Sequence, residues 1–497
     1  MEAVESIRPL LAVLVSMIAA GIVLKFDKDP NLREGVSIGA GVITFFIVIS
    51  MAPHVLAGGA FEYTLFTFVP SLAIAFKADA LGLFFATVAS FLWIITSCYS
   101  IGYMRTAKEI HQTRYFSCFA ISVSSALAVA LSANLLTLFI FYEILSFFTF
   151  PLVNHKGTQT SFEGAKKYMI YLFGTSKTFF LAALILTYNV AGTLDFAQDG
   201  LFSGQGSPMM LTVIYILFIA GIAKAGIMPF HAWLPAAMVA PTPVSALLHA
   251  VAVVKVGVFS VLRIIFHVFG VDLMQSLHLG IPTAFFVSFT IITASVYALT
   301  RDNLKARLAY STVSQLSYII LGAALLTPSS MTGSVIHIAN HAFSKITLFF
   351  CAGSIYVATH KIKISELNGI GRKMPWTMTA FAIGTLSMIG VPPAAGFITK
   401  WYLALGSIEA DQIPILFVLL ASTVLNVGYF VPIIFKAFFH KPADRSAEAE
   451  GNYGIHHDDI KEAPYFVVVP LVVTATLSLL IGLFPSYFMM LAKGVIQ

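Results

Sequence analysis

The sequence predicts an all-α polytopic membrane protein of about fourteen transmembrane helices, including two inverted five-helix repeats that each contain a broken helix. Three observations lead there. Hydrophobic residues make up 58% of the 497 and charged residues 10%, where a soluble domain carries roughly 25% charged residues. The apolar residues gather into runs of about 20, the length that crosses a bilayer as a helix. The Lys and Arg residues between the runs fall almost entirely on alternate sides.

The first run, Ile7–Leu24, lacks the small-residue cleavage site of a removed signal peptide and is expected to be retained. Gly35–Ala52 and Ala80–Gly102 complete an N-terminal unit over residues 1–114. Tyr115–Ala133, Asn134–Val153, Gly164–Tyr188, Met209–Met228 and Val244–Phe269 make the expected first repeat, residues 115–269. Pro282–Thr300, Leu308–Leu326, Met331–Ala358, Trp376–Leu405 and Pro414–Phe439 make the second, residues 281–440. A polar loop and a last span, Tyr465–Leu491, form the C-terminal unit, residues 441–497.

Basic residues stay on the cytoplasmic side of short loops, which orients the chain. Lys25, Lys28 and Arg33 fall on one side, as do Arg105, Lys108 and Arg114, then Lys156, Lys166 and Lys167, then Arg301, Lys305 and Arg307. Lys361, Lys363, Arg372, Lys373, Lys436, Lys441, Arg445 and Lys461 continue the series. Only Arg8, Lys77 and Lys493 fall on the other side. Fourteen spans with both termini outside reproduce this alternation, and the expected location is a bacterial cytoplasmic (inner) membrane. The net charge of +6 is therefore topological, and no nucleic-acid partner is expected. Cys98, Cys118 and Cys351 are too few and too dispersed for an iron–sulfur or zinc site.

The one extended polar stretch is His440–Pro464. His456, His457, Asp458 and Asp459 within it can be drawn as a metal site, but a solvated tract is the simpler reading. More informative is an internal echo: GTSKTFFLAALI (Gly174–Ile185) against AFSKITLFFCAGSI (Ala342–Ile355). Each copy is followed by an interrupted span, GIAKAGIMPFHAWLP (Gly221–Pro235) and GVPPAAGFITKWYL (Gly390–Leu403). Pro229, Pro235, Pro392 and Pro393 are the expected breaking residues, since proline removes a helical hydrogen bond. Paired broken helices point to a transport site near the membrane midplane.

Ionisable residues inside apolar runs are costly and read as functional. Glu143 is the acid among them, and Lys177, Lys224, Lys255, Arg263, Lys345 and Lys400 are the basic ones. By chain order Lys177 and Lys224 are both candidate partners of Glu143. Arg263 lies near a span end, where an interfacial anchor is expected. His337, His341 and Lys345 share one helix face at i, i+4 and i+8. A lysine beside the histidine pair repels a metal cation, so the stripe is read as a proton relay.

At this level of detail the chain resembles the antiporter-like membrane subunits shared by respiratory complex I, membrane-bound hydrogenases and Mrp-type cation/proton antiporters. The resemblance rests on FYEILSF around Glu143, the Gly221–Phe259 segment, DNLKARLAYSTVSQLSYI (Asp302–Ile319), HIANHAFSKITLFF and MIGVPPAAGFITKWY (Met388–Tyr402). It implies a central Glu/Lys/His axis. Glu143 would be the helix-five glutamate, Lys224 the lysine before the first helix break and Lys255 the bridging lysine of the next helix. His337, His341 and Lys345 would form the relay of helix eleven, and Lys400 the terminal site. AGTLDF (Ala191–Phe196) and RKMPWTMTAF (Arg372–Phe381) look most like the D-type component of Mrp antiporters.

The expected function is proton and cation translocation within a multi-subunit Mrp-type antiporter. The alternative is a proton-pumping module of a redox-driven complex, complex I or a membrane-bound hydrogenase. Expected partners are other membrane subunits, the bilayer, protons and, as a further candidate, sodium. No cofactor, metal or redox and hydrolytic chemistry is read in the chain itself.

Overall fold

The computed structural model describes residues 3–202, 204–441 and 460–496. His456, His457, Asp458 and Asp459 lie outside the described residues. Eleven helices among the described residues are long and apolar enough to cross a membrane. The chain is an integral membrane protein.

Local chemistry sets the helix starts. In α1 (Arg8–Lys25) and α2 (Pro30–Leu56) a proline opens the helix, and the Asp29 carboxylate accepts from the Asn31 and Leu32 amides to cap the second. Asp79 caps α3 (Ala80–Thr106), Asn134 caps α5 (Leu135–Val153) and Thr158 caps α6 (Gln159–Ala191). Between α3 and α5 runs α4 (Gln112–Ala130).

Between α2 and α3 the chain forms strands instead of a plain loop. A short β1 (Ala3–Glu5) runs parallel to β2 (Ala60–Val69), which pairs antiparallel with β3 (Leu72–Ala78) in register Tyr63 to Phe76. Leu65, Phe66, Phe68 and Val69 of β2 are exposed. This hairpin departs from the sequence expectation for residues 1–114, which contains spans alone. The loops at its end of the molecule bond to it and to one another: Lys77 N donates to Leu131 O and Ala133 N to Ala75 O, while Leu135 N donates to Leu194 O and Leu201 N to Val268 O.

Several expected spans are shorter or more broken than their apolar runs suggest. The helix α7 (Pro208–Gly221) stops well before Met228, giving way to a 3-10 turn, Ala223–Ala225, and then to the short α8 (Trp233–Ala236). Pro229 lies in the interruption, but Pro235 sits in the first turn of α8, where proline is tolerated. The continuous-looking α9 (Thr242–Phe269) contains π-helical segments at Leu247–Val251 and Ile264–Phe269, and α6 contains one at Ser176–Phe180. After α10 (Gly280–Leu299), α11 (Leu304–Ala324) and α12 (Pro328–Thr359), the second interrupted span divides into α13 (Pro375–Ile389) and α14 (Ala395–Glu409), with Pro392 and Pro393 between them. The remaining helices are α15 (Ile413–Phe439), α16 (Tyr465–Leu483) and α17 (Ser486–Gly494), so the last apolar run ends at Leu483 and not at Leu491.

The most deeply buried spans are α9 at 94%, α4 at 89% and α12 at 83%. Small residues permit the closest approaches, as lipid-embedded packing requires. A Cβ on Gly257 of α9 would lie 2.2 Å from the Lys224 carbonyl carbon and the Ala225 nitrogen, and one on Gly221 would lie 2.3 Å from Phe180 N. Gly257 therefore brings α9 directly against the broken turn that carries Lys224.

Candidate functional site

Glu143 is the natural starting point, on α5 and 9% exposed. Lys177 Nζ lies 3.3 Å from its Oε2, and the side chain of Lys177 is 53% exposed on the outside of the bundle. Lys177 occupies the π-helical segment of α6, where the extra residue per turn shifts the side-chain direction. Neither oxygen of Glu143 has a hydrogen-bond partner.

Lys224 approaches from the other direction. It is fully buried, and its Nζ donates to Tyr142 O at 2.6 Å while sitting 3.1 Å from the centre of the Tyr142 ring. Because Tyr142 immediately precedes Glu143, both candidate lysines reach the same turn of α5. The ammonium is held by a carbonyl and an aromatic face, which attract a cation without a formal counter-ion.

The central contact joins α9 to α12. Lys255 Nζ lies 2.7 Å from His341 Nδ1, with both residues buried. The His341 ring is 5.8 Å from that of His337, which is in turn 5.8 Å from the Tyr318 ring of α11. Lys400 Nζ sits 5.7 Å from the Tyr318 ring centre, and donates to Ile389 O at 2.6 Å and Thr423 Oγ1 at 2.8 Å. Ile389 O is the carbonyl at the broken end of α13, so Lys400 fills a vacancy that the interruption creates. Gly390 follows at φ +88°, and a Cβ there would lie 2.6 Å from Lys400 Cδ.

Lys345 shares the helix face of His337 and His341 but makes its own contacts, to Leu308 O at 3.2 Å and Ser311 Oγ at 2.5 Å. The expected stripe is thus divided between a His pair on the line to Tyr318 and a lysine turned toward α11. His249 joins the set from the structure alone. It lies in a π-helical segment of α9, buried, with neither ring nitrogen hydrogen-bonded and its ring 4.7 Å from Phe349. An ionisable side chain inside LLHAVAVV is the same signal that flags Lys255, applied to histidine.

Arg263 departs from its expected role as an interfacial anchor. It is fully buried, and its two terminal nitrogens each donate to one oxygen of Asp79 at 2.6 Å. Burial alone pushes the Asp79 carboxyl up, but the charge and hydrogen bonds of Arg263 outweigh it and hold that carboxyl well below the usual carboxylate range.

Three comparisons place this geometry among known proteins. The family described as "NADH:quinone oxidoreductase/Mrp antiporter, TM" matches residues 132–427. The probable K(+)/H(+) antiporter A/B component of Rhizobium meliloti (strain 1021) is 28% identical over 98% of this chain, which spans about half (48%) of that relative. "NADH-quinone oxidoreductase subunit N" of Desulforudis audaxviator (strain MP104C) is 29% identical over 96% of this chain and 95% of its own length. Among solved structures, the Mrp complex from Dietzia sp. DQ12-45-1b contains a chain that superposes with TM-score 0.87 at 21% identity, covering 99% of this chain and 97% of that one. That likeness establishes the fold.

Proposed function

The chain belongs to the NADH:quinone oxidoreductase/Mrp antiporter transmembrane family, and on that premise we propose that it is the ion-translocating membrane subunit of a multi-subunit Mrp-type monovalent cation/proton antiporter. Protons move along Glu143, Lys224, Lys255, His341, His337 and Lys400, with Lys177 and Lys345 as flanking charges. The observation that carries this reading is the 2.7 Å contact between Lys255 and His341. Two basic groups at that separation hold one proton between them, because two positive charges so close repel strongly where water is excluded. A proton arriving at one therefore favours departure from the other.

Glu143 supplies the coupling. Its carboxylate faces Lys177 directly and lies one residue from the carbonyl that holds Lys224. When Lys177 swings out toward its exposed side, the carboxylate charge acts on Lys224 and retains a proton there; when Lys177 returns, that proton is freed to move on. Buried polar atoms without partners along the line, on His249, His337, His341, Gln315 and Tyr318, are the groups that transient water would satisfy.

The proposal includes the topology: fourteen spans in a bacterial cytoplasmic membrane with both termini outside, divided at 1–114, 115–269, 281–440 and 441–497, the middle two being inverted repeats. The two interrupted spans, each carrying a lysine at its break, support that division. Other membrane subunits complete the assembly. In the purified complex, Glu143→Ala is expected to abolish coupled transport while the subunits still co-purify. Wild-type transport in an assembled Glu143→Ala complex defeats the reading.

A second reading, a proton-pumping module driven by redox partners, is favoured by the near full-length similarity to a quinone oxidoreductase component. The subunits that co-purify with the chain separate the two: iron–sulfur or quinone-reducing partners support the redox complex, and their absence from an active, intact complex supports the antiporter.

A further inference from the structure

The buried cation Arg263 lies off the axis. Lys255, Phe259 and Arg263 recur every four residues and form one stripe of α9, and His267 follows within the π-helical segment Ile264–Phe269. The guanidinium carbon of Arg263 lies 5.3 Å from the ring centres of both Phe259 and Phe196, and the Phe259 ring is 5.3 Å from that of Phe85. Beyond the Arg263–Asp79 pair, a cavity of about 550 Å³ opens beside the hairpin, with Lys77, Asp79 and His267 on its polar side. His267 also lines a smaller cavity, of about 180 Å³, with Asp199 and Asp272. Its Nδ1 is buried and has no hydrogen-bond partner.

The order from the bundle centre outward is therefore a proton-bearing lysine, an aromatic layer, a doubly hydrogen-bonded ion pair, an unsatisfied imidazole nitrogen and a polar cavity. We infer that Arg263, Asp79 and His267 form a gated proton port connecting Lys255 to the hairpin end of the molecule, a branch separate from the path to Lys400. The inference rests on Lys255 carrying protons as proposed above. The gate is closed in this structure: the Phe259 and Phe85 rings and the Arg263–Asp79 pair fill the stripe. Lys255 and Arg263 are about 12 Å apart along the helix at 1.5 Å per residue, too far for a direct hop, so water must enter for transfer.

When Arg263 swings away from the rings, the Lys255 ammonium gives up one proton to that water and becomes an amine. His267 Nδ1 accepts it and passes it to the cavity, with no change beyond N–H and O–H bonds. The fixed charges facing His267 are Arg263 and Asp79 together with Asp199 and Asp272, while Lys77 is tied to Glu62 at 2.6 Å. Arg263 and Asp79 offset one another, which leaves the Asp199 and Asp272 carboxylates of the adjoining cavity to face a transient positive charge on the imidazole.

The test uses the assembled complex with Cys98, Cys118 and Cys351 replaced by serine and Val256→Cys introduced, beside Lys255 and two turns before Arg263 on the same helix, so that both gate rings are kept. A membrane-impermeant thiol reagent applied to the hairpin face is expected to label the thiol at this position slowly. Adding Asp79→Asn or Arg263→Gln is expected to accelerate labelling several-fold, because either change unties the gate. Unchanged labelling in both backgrounds, with the subunits still co-purifying, overturns the port. A proton leak in the Asp79→Asn complex that His267→Gln diminishes assigns the proton to His267; an undiminished leak removes His267 from the route. Labelling requires no transport, so the port fails on labelling and the axis fails on Glu143→Ala, each independently.

Discussion

Lys255 and His341 lie 86 residues apart in the chain and meet at 2.7 Å. Each is legible in the sequence as an ionisable residue in an apolar run, yet their contact is not, because nothing in a sequence reports which helices are neighbours. The same holds for Glu143, whose two candidate lysines are equivalent by chain order and are separated by the fold into an exposed ion-pair partner and a buried one. Arg263 defies its sequence expectation for a related reason. Its partner Asp79, 184 residues away, sits just ahead of an apolar run, where an acid looks like ordinary loop polarity. Gly390 offers a residue-scale prediction. At φ +88° and against the Lys400 stem, Gly390→Ala is expected to cost about 1–3 kcal/mol and displace Lys400 from Ile389 O. Thermal unfolding of the complex and its transport rate report both effects; a variant with unaltered Tm and rate would show that the turn tolerates a side chain.

Elements show where periodicity succeeds and where it stops. Long apolar runs locate the spans, since hydrocarbon leaves the backbone little choice but helix. Interruptions are visible as Pro and Gly, but π-helical segments are not, because an extra residue in a turn leaves composition unchanged. They coincide with basic side chains in each case: Lys177, His249 and His267. The hairpin is hidden in the sequence because its strands are apolar enough to pass for ragged span ends. Its docking has a pH signature. The depressed Asp79 carboxyl contributes stability that is present above the unfolded value near 4 and is lost only as pH falls through its much lower folded value. The protection factors of the β3 and early α3 amides, that is exchange corrected for the base-catalysed rise of the intrinsic rate with pH, are therefore expected to stay constant between about pH 5 and pH 8. A loss of protection across that window would falsify the assignment of the Arg263–Asp79 pair as the tie.

For the whole molecule, the ionisable groups come from α5, the Lys224 turn, α9, α12 and α14 instead of a single pocket, and only the His341–His337 step stays within one helix. Such an arrangement depends on close packing, and one such place is Gly257 against the Lys224 turn. Gly257→Val is expected to separate α9 from the broken turn, uncoupling Lys224 from Lys255; measured as lost transport with retained co-purification, it would show that proximity and not charge alone sustains the path. The central claim is that the Lys255–His341 junction conducts. Its most direct measurement is proton flux through the reconstituted complex carrying Lys255→Met, His341→Leu or both. The account predicts that either single variant lowers flux by about tenfold or more, at 1.4 kcal/mol per factor of ten, and that the double variant is scarcely worse than the worse single one, because both remove the same junction. Wild-type flux in an assembled Lys255→Met or His341→Leu complex would contradict it.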